Sequence, residues 1–184
     1  VISTGGMFYD EQSTAERLVF PDWSPKMVQG VPFTLIDPRG DRIPNAVMLY
    51  SPNGRIPPRM PKEVSLSCNA PVQVIHVLGG VSGGGAKAPR DPGTLSMLVR
   101  LHYRDGVIED LEVRDGRHLA DYIGPFEVPE SSLAFNLQGR QVRTFQLHPR
   151  RLEVIDRIEL IDGPDDTAPV VLAITVELPE TDSD

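Results

Sequence analysis

From Val31 onward the chain is a succession of short apolar runs, each ended by proline, glycine, asparagine or aspartate. Most runs are rich in β-branched residues and too short for an amphipathic helix, so they favour strands joined by tight turns. The 18 prolines and 16 glycines fall largely between these runs, and a proline inside a helix would remove a backbone donor. The pattern argues against a helical bundle and predicts an antiparallel all-β protein.

The apolar runs predict strands at residues 31–36, 46–50, 64–68, 72–78, 95–103, 107–113, 133–137, 141–147, 157–161 and 169–177. A turn at Asp105-Gly106 joins the fifth and sixth strands into a hairpin, because this dipeptide readily supplies positive φ. Alternation along the fifth strand places on one face Leu95, Met97, Val99, Leu101 and Tyr103. The last run has apolar residues at both odd and even positions, so both faces of the strand are apolar. This indicates a strand that is buried on both faces or lies centrally in a sandwich.

Strand follows strand with almost no crossover helices, which favours an antiparallel β-sandwich, with a jelly roll as the first choice and a Greek-key barrel as the second. We expect at most one or two short helices, since helical periodicity is weak and confined to residues 117–122 and 151–156. A capping pattern at residues 13–16 also predicts one helical turn. We expect an N-terminal extension at residues 1–29 packing on a sandwich domain at residues 30–178, followed by an acidic tail at residues 179–184.

The charge balance and the single cysteine restrict the partners and cofactors. The chain carries 18 Lys plus Arg against 26 Asp plus Glu, a net charge of −8, so we expect no sequence-independent binding of nucleic acid, which needs a surplus of cations. Cys68 is the only cysteine, which excludes an intrachain disulfide, a thiolate zinc cluster and a CxxCH haem site within this chain. No apolar stretch approaches the ~20 residues of a membrane-spanning helix, so we expect no membrane insertion. Because the chain begins at Val1 and not at methionine, we expect a fragment or a processed product.

The sequence offers little catalytic chemistry, and we predict no enzyme. Gly80 to Gly84 match the G-x-S-x-G pattern of a serine hydrolase, but that motif needs a helix after the serine, and the glycines and proline of residues 84–89 favour a flexible loop. The adjacent carboxylates of Glu109 and Asp110 point to opposite faces of a strand and cannot form a glycosidase pair with each other. The four histidines show no metal-ligand spacing; they are His76, His102, His118 and His148.

Two aspartate-rich turns are candidates for a structural calcium. Asp162 and Asp165 lie in one turn, and Asp37 and Asp41 flank another. Calcium takes six to eight oxygen ligands, and neither turn follows EF-hand spacing. Ordinary turn chemistry, in which an aspartate accepts a backbone N–H two residues on, is the competing interpretation.

Sugar recognition usually joins an aromatic face to a few planar polar groups. In the turn-rich segments and the glycine loop, the candidate carbohydrate contacts are Trp23, Asn53, Arg55, Arg59, Ser82 and Lys87, with Tyr50 and Tyr122 as further aromatic candidates. Aromatic residues make up only 6% of the chain, and several of them are needed to fill the hydrophobic core. A broad stacking platform is therefore not expected.

Five segments carry a resemblance to a known kind of domain; they lie at residues 30–38, 42–45, 62–66, 77–83 and 164–175. Together they resemble a β-sandwich module attached to very large bacterial cytochrome c-type haem and dehydrogenase-like proteins. The overall strand order is also distantly similar to the NPCBM-type modules, which are galactose-binding-like jelly rolls appended to glycosidases. Since this chain lacks CxxCH, haem chemistry would reside elsewhere in a parent polypeptide.

The resemblance implies a non-catalytic accessory domain in the periplasm or outside the cell, where it binds carbohydrate. The resemblance supplies no catalytic residues for this chain. We expect no cofactor, with a structural calcium as the one candidate. Two alternatives remain: a docking domain of a large haem or hydrolase protein that binds no small molecule, and a carbohydrate-active enzyme. The expected partners are accordingly a glycan or neighbouring domains of a parent polypeptide.

Overall fold

A computed structural model describes residues 1–5 and 17–180. In the described residues the only helical element is a short 3₁₀ turn at Pro57–Arg59, which confirms the all-β prediction. The strands are β1 Lys26–Val28, β2 Val31–Phe33, β3 Val47–Met48, β4 Glu63–Pro71, β5 Val74–Ser82, β6 Thr94–Tyr103, β7 Ile108–Asp115, β8 Ser132–Leu137, β9 Arg140–Leu147, β10 Val154–Asp162 and β11 Ala168–Glu177. The helical turn predicted at residues 13–16 and the last four residues of the tail lie outside the described residues.

The strands form two main antiparallel sheets and one small hairpin. The four-stranded sheet has the order β4-β10-β6-β7, the five-stranded sheet has the order β3-β11-β5-β9-β8, and β1 pairs with β2. Eight of the strands, β3 to β7 and β9 to β11, can be numbered one to eight in chain order. In these numbers the five-stranded sheet has the order 1-8-3-6, followed by β8, and the four-stranded sheet has the order 2-7-4-5. This is the strand order of a jelly roll, with β8 added at one edge. The predicted antiparallel sandwich is therefore confirmed, and the topology matches the first choice.

The main core lies between the two sheets. Inward side chains of β6 and β10, such as Met97, Leu101 and Leu160, meet side chains of β5 and β9, such as Ile75 and Phe145. The hairpin predicted around Asp105-Gly106 is present as β6 and β7. The register of this hairpin shifts between Leu95 and Met97. Leu95 therefore lies outside the main core, although simple alternation along the strand places it on the same face as Met97.

A second core covers the outer face of the five-stranded sheet. Leu18, Phe20 and Phe33 of the N-terminal segment are buried there against Val170 and Leu172 of β11. The sheet is thus covered on both faces, which explains why every residue of β5 is buried. The coverage of both faces also explains why β11 has apolar residues at both odd and even positions. The β1–β2 hairpin spans the boundary expected at residues 29 and 30.

The two weakly periodic segments, residues 117–122 and 151–156, form no helix. Residues 116–118 form a turn, and Leu119 and Asp121 make isolated parallel bridges to Asp115 and Val81. Residues 154–156 already belong to β10. Pairing with neighbouring strands outweighs a periodicity of one or two turns, which is too short to stabilise a helix alone. No helix in residues 1–5 and 17–180 is long and apolar enough to cross a membrane.

Candidate binding cleft

A cleft opens at the end of the sandwich where β5 ends. It encloses about 370 Å³ and is lined by Asn53, Ser82, Gly83, Gly84, Lys87, Asp121, Tyr122 and Ile123. Gly83 and Gly84 turn the chain away from β5 with φ angles of 76° and 92°, a conformation that glycine adopts readily and other residues rarely do. Residues 83–93, which we call the rim loop, then run to β6. Three of the six predicted carbohydrate contacts, Asn53, Ser82 and Lys87, therefore line one cavity.

Asn53 fixes one wall of the cleft. Its side-chain Nδ2 donates to the carbonyl oxygens of Gly83, at 3.1 Å, and Asp166, at 3.0 Å. Its backbone N–H donates to Ser51 Oγ at 3.0 Å, and the Ser51 hydroxyl donates to the same Asp166 carbonyl at 2.5 Å. These bonds tie the segment around residues 51–53 to the rim loop and to the turn that follows β10.

Asp121 forms the floor of the cleft. Its backbone N–H donates to Ala86 O at 2.9 Å, and its backbone carbonyl accepts from Gln141 Nε2 at 2.9 Å. The residue is 4% exposed, and Oδ1 accepts the Ile123 N–H at 3.1 Å. Burial raises the pKa of Asp121, partly offset by the Ile123 N–H and the Lys87 charge.

Asp115, at the end of β7, lies behind the rim loop. It is fully buried, and its Oδ1 and Oδ2 accept the Ala86 N–H at 3.0 and 2.8 Å. Arg90 Nη1 donates to Oδ2 at 3.3 Å. Burial raises the pKa of Asp115 to about 6, although the Ala86 N–H and the Arg90 charge act in the opposite direction.

The cleft combines polar groups of several kinds with a little apolar surface. Asp121 supplies a carboxylate, Lys87 an exposed ammonium, Asn53 an amide and Ser82 a hydroxyl. Ile123 is 45% exposed and adds an aliphatic surface, whereas Tyr122 is buried at 2%. Chemically, the arrangement suits hydrogen bonding to a polar ligand better than stacking on an aromatic ring.

The other predicted carbohydrate contacts lie elsewhere. Trp23 is half-buried and packs against Phe20, with ring centroids 5.2 Å apart, at the edge of the second core. Arg55 and Arg59 are exposed but do not line the cleft. Tyr50 lies under the Lys62 ammonium at 4.7 Å. Trp23 thus contributes to packing of the N-terminal segment.

The two aspartate-rich turns show ordinary turn chemistry. Asp37 accepts the Arg39 N–H at 2.7 Å, and Asp165 accepts the Thr167 N–H at 3.0 Å. Asp41 accepts the Ser3 hydroxyl at 3.4 Å, and burial raises the pKa of Asp162 to about 6. Among the described residues no group of three or more His, Cys, Asp or Glu side chains is placed to hold a metal ion. The described residues therefore supply no cluster of acidic side chains that supports the calcium hypothesis.

The motifs considered for catalysis do not come together. Ser82 is 2% exposed, and the rim loop that follows it contains no helix, so the geometry of a nucleophile elbow is missing. His76, His102 and His118 pair with three separate carboxylates, on Glu177, Glu159 and Glu130. Burial lowers the pKa of His118 to about 4.

Local sequence pattern does little to distinguish Asp121 or Asp115 from the other acidic residues of the chain. Their importance comes from the parallel bridge between Val81 and Asp121, which joins segments forty residues apart. The one local signal was a single aspartate between the apolar residues Ala120 and Tyr122.

Comparisons of the chain with protein-family models, with curated proteins and with solved structures found no match.

Proposed function

We propose that the protein is a non-catalytic module that binds carbohydrate in the cleft at the end of its sandwich. The observation that carries the proposal is Asp121, an acidic residue that is 4% exposed and lines an open cleft. A buried carboxylate needs hydrogen-bond donors to offset its lost hydration. Sugar hydroxyls are such donors, and charge-assisted bonds to a carboxylate are among the stronger hydrogen bonds.

The other lining groups favour a polyol over a cation. The Lys87 ammonium at the same cleft repels a positively charged ligand. Asn53 and Lys87 supply dispersed polar groups of the kind that hydroxyl recognition needs, and Ile123 offers an aliphatic surface to a sugar ring. The volume of about 370 Å³ lies in the lower part of the range of about 300–1,000 Å³ that is typical of small-molecule sites. It suits one or two sugar units.

The test begins with a glycan array and continues with calorimetry on the glycans that bind. Asp121→Asn keeps an acceptor for the Ile123 N–H but removes the charge. We expect its affinity to fall about 10- to 100-fold, because a hydrogen bond to a charged group contributes roughly 1.5–3 kcal/mol. The matched control is Asp156→Asn, an exposed carboxylate of β10 that pairs with Arg104, and its affinity should match that of the wild type.

If Asp121→Asn binds glycan with the affinity of the wild type, the cleft is not the binding site. The absence of saturable binding to every glycan would favour a docking domain without a small ligand. Release of reducing ends from a polysaccharide panel would instead favour a carbohydrate-active enzyme.

A further inference from the structure

Asn53 joins distant segments of the chain at one wall of the cleft. The residue lies in an exposed loop, where an asparagine amide usually donates to water. Here its Nδ2 group donates to Gly83 O at 3.1 Å and to Asp166 O at 3.0 Å. An amide nitrogen carries two hydrogens, so both are engaged, by segments that lie 30 and 113 residues away in the sequence. The side chain therefore ties these two segments together.

The two partners determine the orientation of the Asn53 amide. Carbonyl oxygens accept hydrogen bonds and never donate them, so only the nitrogen of the amide can face the carbonyls of Gly83 and Asp166. The reversed amide would place Oδ1 against two oxygens and would repel both. Asn53 thus uses its donor end to hold the protein, and only its acceptor end, Oδ1, is available to a ligand in the cleft.

Ser51 strengthens the same junction from the interior. It is fully buried, its Oγ accepts the Asn53 N–H at 3.0 Å, and its hydroxyl donates to Asp166 O at 2.5 Å. With the bond from Asn53, the Asp166 carbonyl accepts two hydrogen bonds, which matches its two lone pairs. Ser51 and Asn53 together fix this loop to the turn after β10, and the bond from Asn53 to Gly83 extends the attachment to the cleft wall.

Gly83 needs an attachment of this kind because its backbone leaves the sheet. The pairing of β5 with β11 ends at Ser82 and Ala168, and Gly83 then turns the chain with a φ of 76°. A side chain at position 83 could not supply the attachment, since a Cβ there would lie 3.0 Å from Ser51 Oγ and 3.3 Å from Ala168 N. The position of this glycine turn therefore depends on a donor from another segment.

We propose that Asn53 is a positioning residue of the cleft: its Nδ2 group holds the Gly83-Gly84 turn against the turn after β10 and so fixes the wall that the two glycines form. The part of the proposal that concerns ligand affinity rests on the proposed function, whereas the attachment of the turn does not. The competing role for Asn53 is direct contact, in which Oδ1 accepts a hydroxyl of the ligand. The two roles use opposite ends of one amide and can be separated.

Two substitutions separate them when the affinity for glycans identified on the array is measured by calorimetry. Asn53→Ala removes both ends of the amide, and we expect it to weaken binding about tenfold, the effect of one or two neutral hydrogen bonds. Asn53→Asp keeps the size and an acceptor but sets an oxygen against two carbonyls, so we expect weaker binding still. Direct contact predicts the reverse order. Tighter binding by Asn53→Asp than by Asn53→Ala, or wild-type affinity in both variants, would overturn the proposal.

NMR relaxation of the full chain without ligand observes the turn itself. At Gly83 and Gly84 we expect backbone order parameters of about 0.85 in the wild type and below about 0.6 in Asn53→Asp. A residue that only stabilised the fold would lower the free energy of unfolding, measured in urea, without loosening the turn. Order parameters that stay high in Asn53→Asp, or that are already low in the wild type, would contradict the positioning role.

Asn136→Asp is the matched control. Asn136 is also exposed, but its Oδ1 accepts the Gly139 N–H at 2.9 Å, so an aspartate keeps the bond, and we expect wild-type affinity and order parameters. The two proposals fail in different ways. Absence of binding to every glycan removes the carbohydrate function and leaves the order parameters of Gly83 and Gly84 as the test of the attachment. A turn that stays rigid in Asn53→Asp removes the attachment and leaves a glycan-binding cleft.

Discussion

At the scale of single residues, Arg143 of β9 is a side chain with five hydrogen bonds to residues in the described part of the chain. It is fully buried, and its guanidinium donates to Ser131 Oγ, the carbonyls of Phe126 and Ser131, Gln141 Oε1 and Glu127 Oε2 at 2.7–3.1 Å. Its carboxylate partner Glu127 is largely exposed. Arg143 therefore acts chiefly by fixing residues 126–131, the connection that leads into β8.

We predict that Arg143→Met lowers the free energy of unfolding by about 1–3 kcal/mol, because it leaves the neutral acceptors around the guanidinium, such as Gln141 Oε1, without their donor. Urea unfolding measures the change. Arg104→Met is the control, since Arg104 is 61% exposed and pairs with Asp156 at the surface, where such pairs contribute at most about 1 kcal/mol. Equal effects of the two substitutions would contradict the structural role given to Arg143.

At the scale of elements, β5 and β11 pass each other closely at the centre of the five-stranded sheet. Gly79 and Gly80 of β5 lie opposite Val171 and Val170. A Cβ on Gly79 would overlap the carbonyl oxygen of Val170, whereas a Cβ on Gly80 would meet its nearest neighbour, Tyr122 Cβ, at an ordinary 3.4 Å. Two adjacent glycines thus have different structural requirements.

We predict that Gly79→Ala lowers the free energy of unfolding by about 1–3 kcal/mol, the usual cost of overpacking, and that Gly80→Ala costs distinctly less. Thermal or urea unfolding of the two variants, compared under the same conditions, measures the difference. A Gly80→Ala variant that is as unstable as Gly79→Ala would show that close approach of β11 is not the constraint.

Most of the strands could be predicted from local pattern, because alternation and turn residues operate within a few positions. The three-residue strand β1 was missed because Lys26–Val28 is too short to show a pattern. The second core was not predicted, since two of its members, Leu18 and Phe20, come from a segment with no regular hydrophobic period. In the cleft, Asn53, Ser82 and Lys87 were predicted as loop residues, whereas the roles of Asp115 and Asp121 depend on contacts between distant segments.

At the scale of the whole molecule, two cores stabilise the sandwich and leave the cleft at one end. The cleft brings together residues near positions 53, 82–87 and 121–123, whose neighbours are held by β5, β7 and the turn after β10. A net charge of −8 does not favour polyanionic partners such as nucleic acid. Recognition of a ligand therefore depends on the side chains that line the cleft. Binding should therefore affect the cleft and leave the rest of the sandwich unchanged.

The most direct test is an NMR titration of the full chain with a glycan identified on the array, following every backbone amide. The account predicts that the largest shift changes are confined to Asn53, to residues 82–87 and to residues 121–123. Amide changes centred on the second core around Trp23, or on the four-stranded sheet, would contradict it, as would the absence of any glycan that shifts the cleft amides.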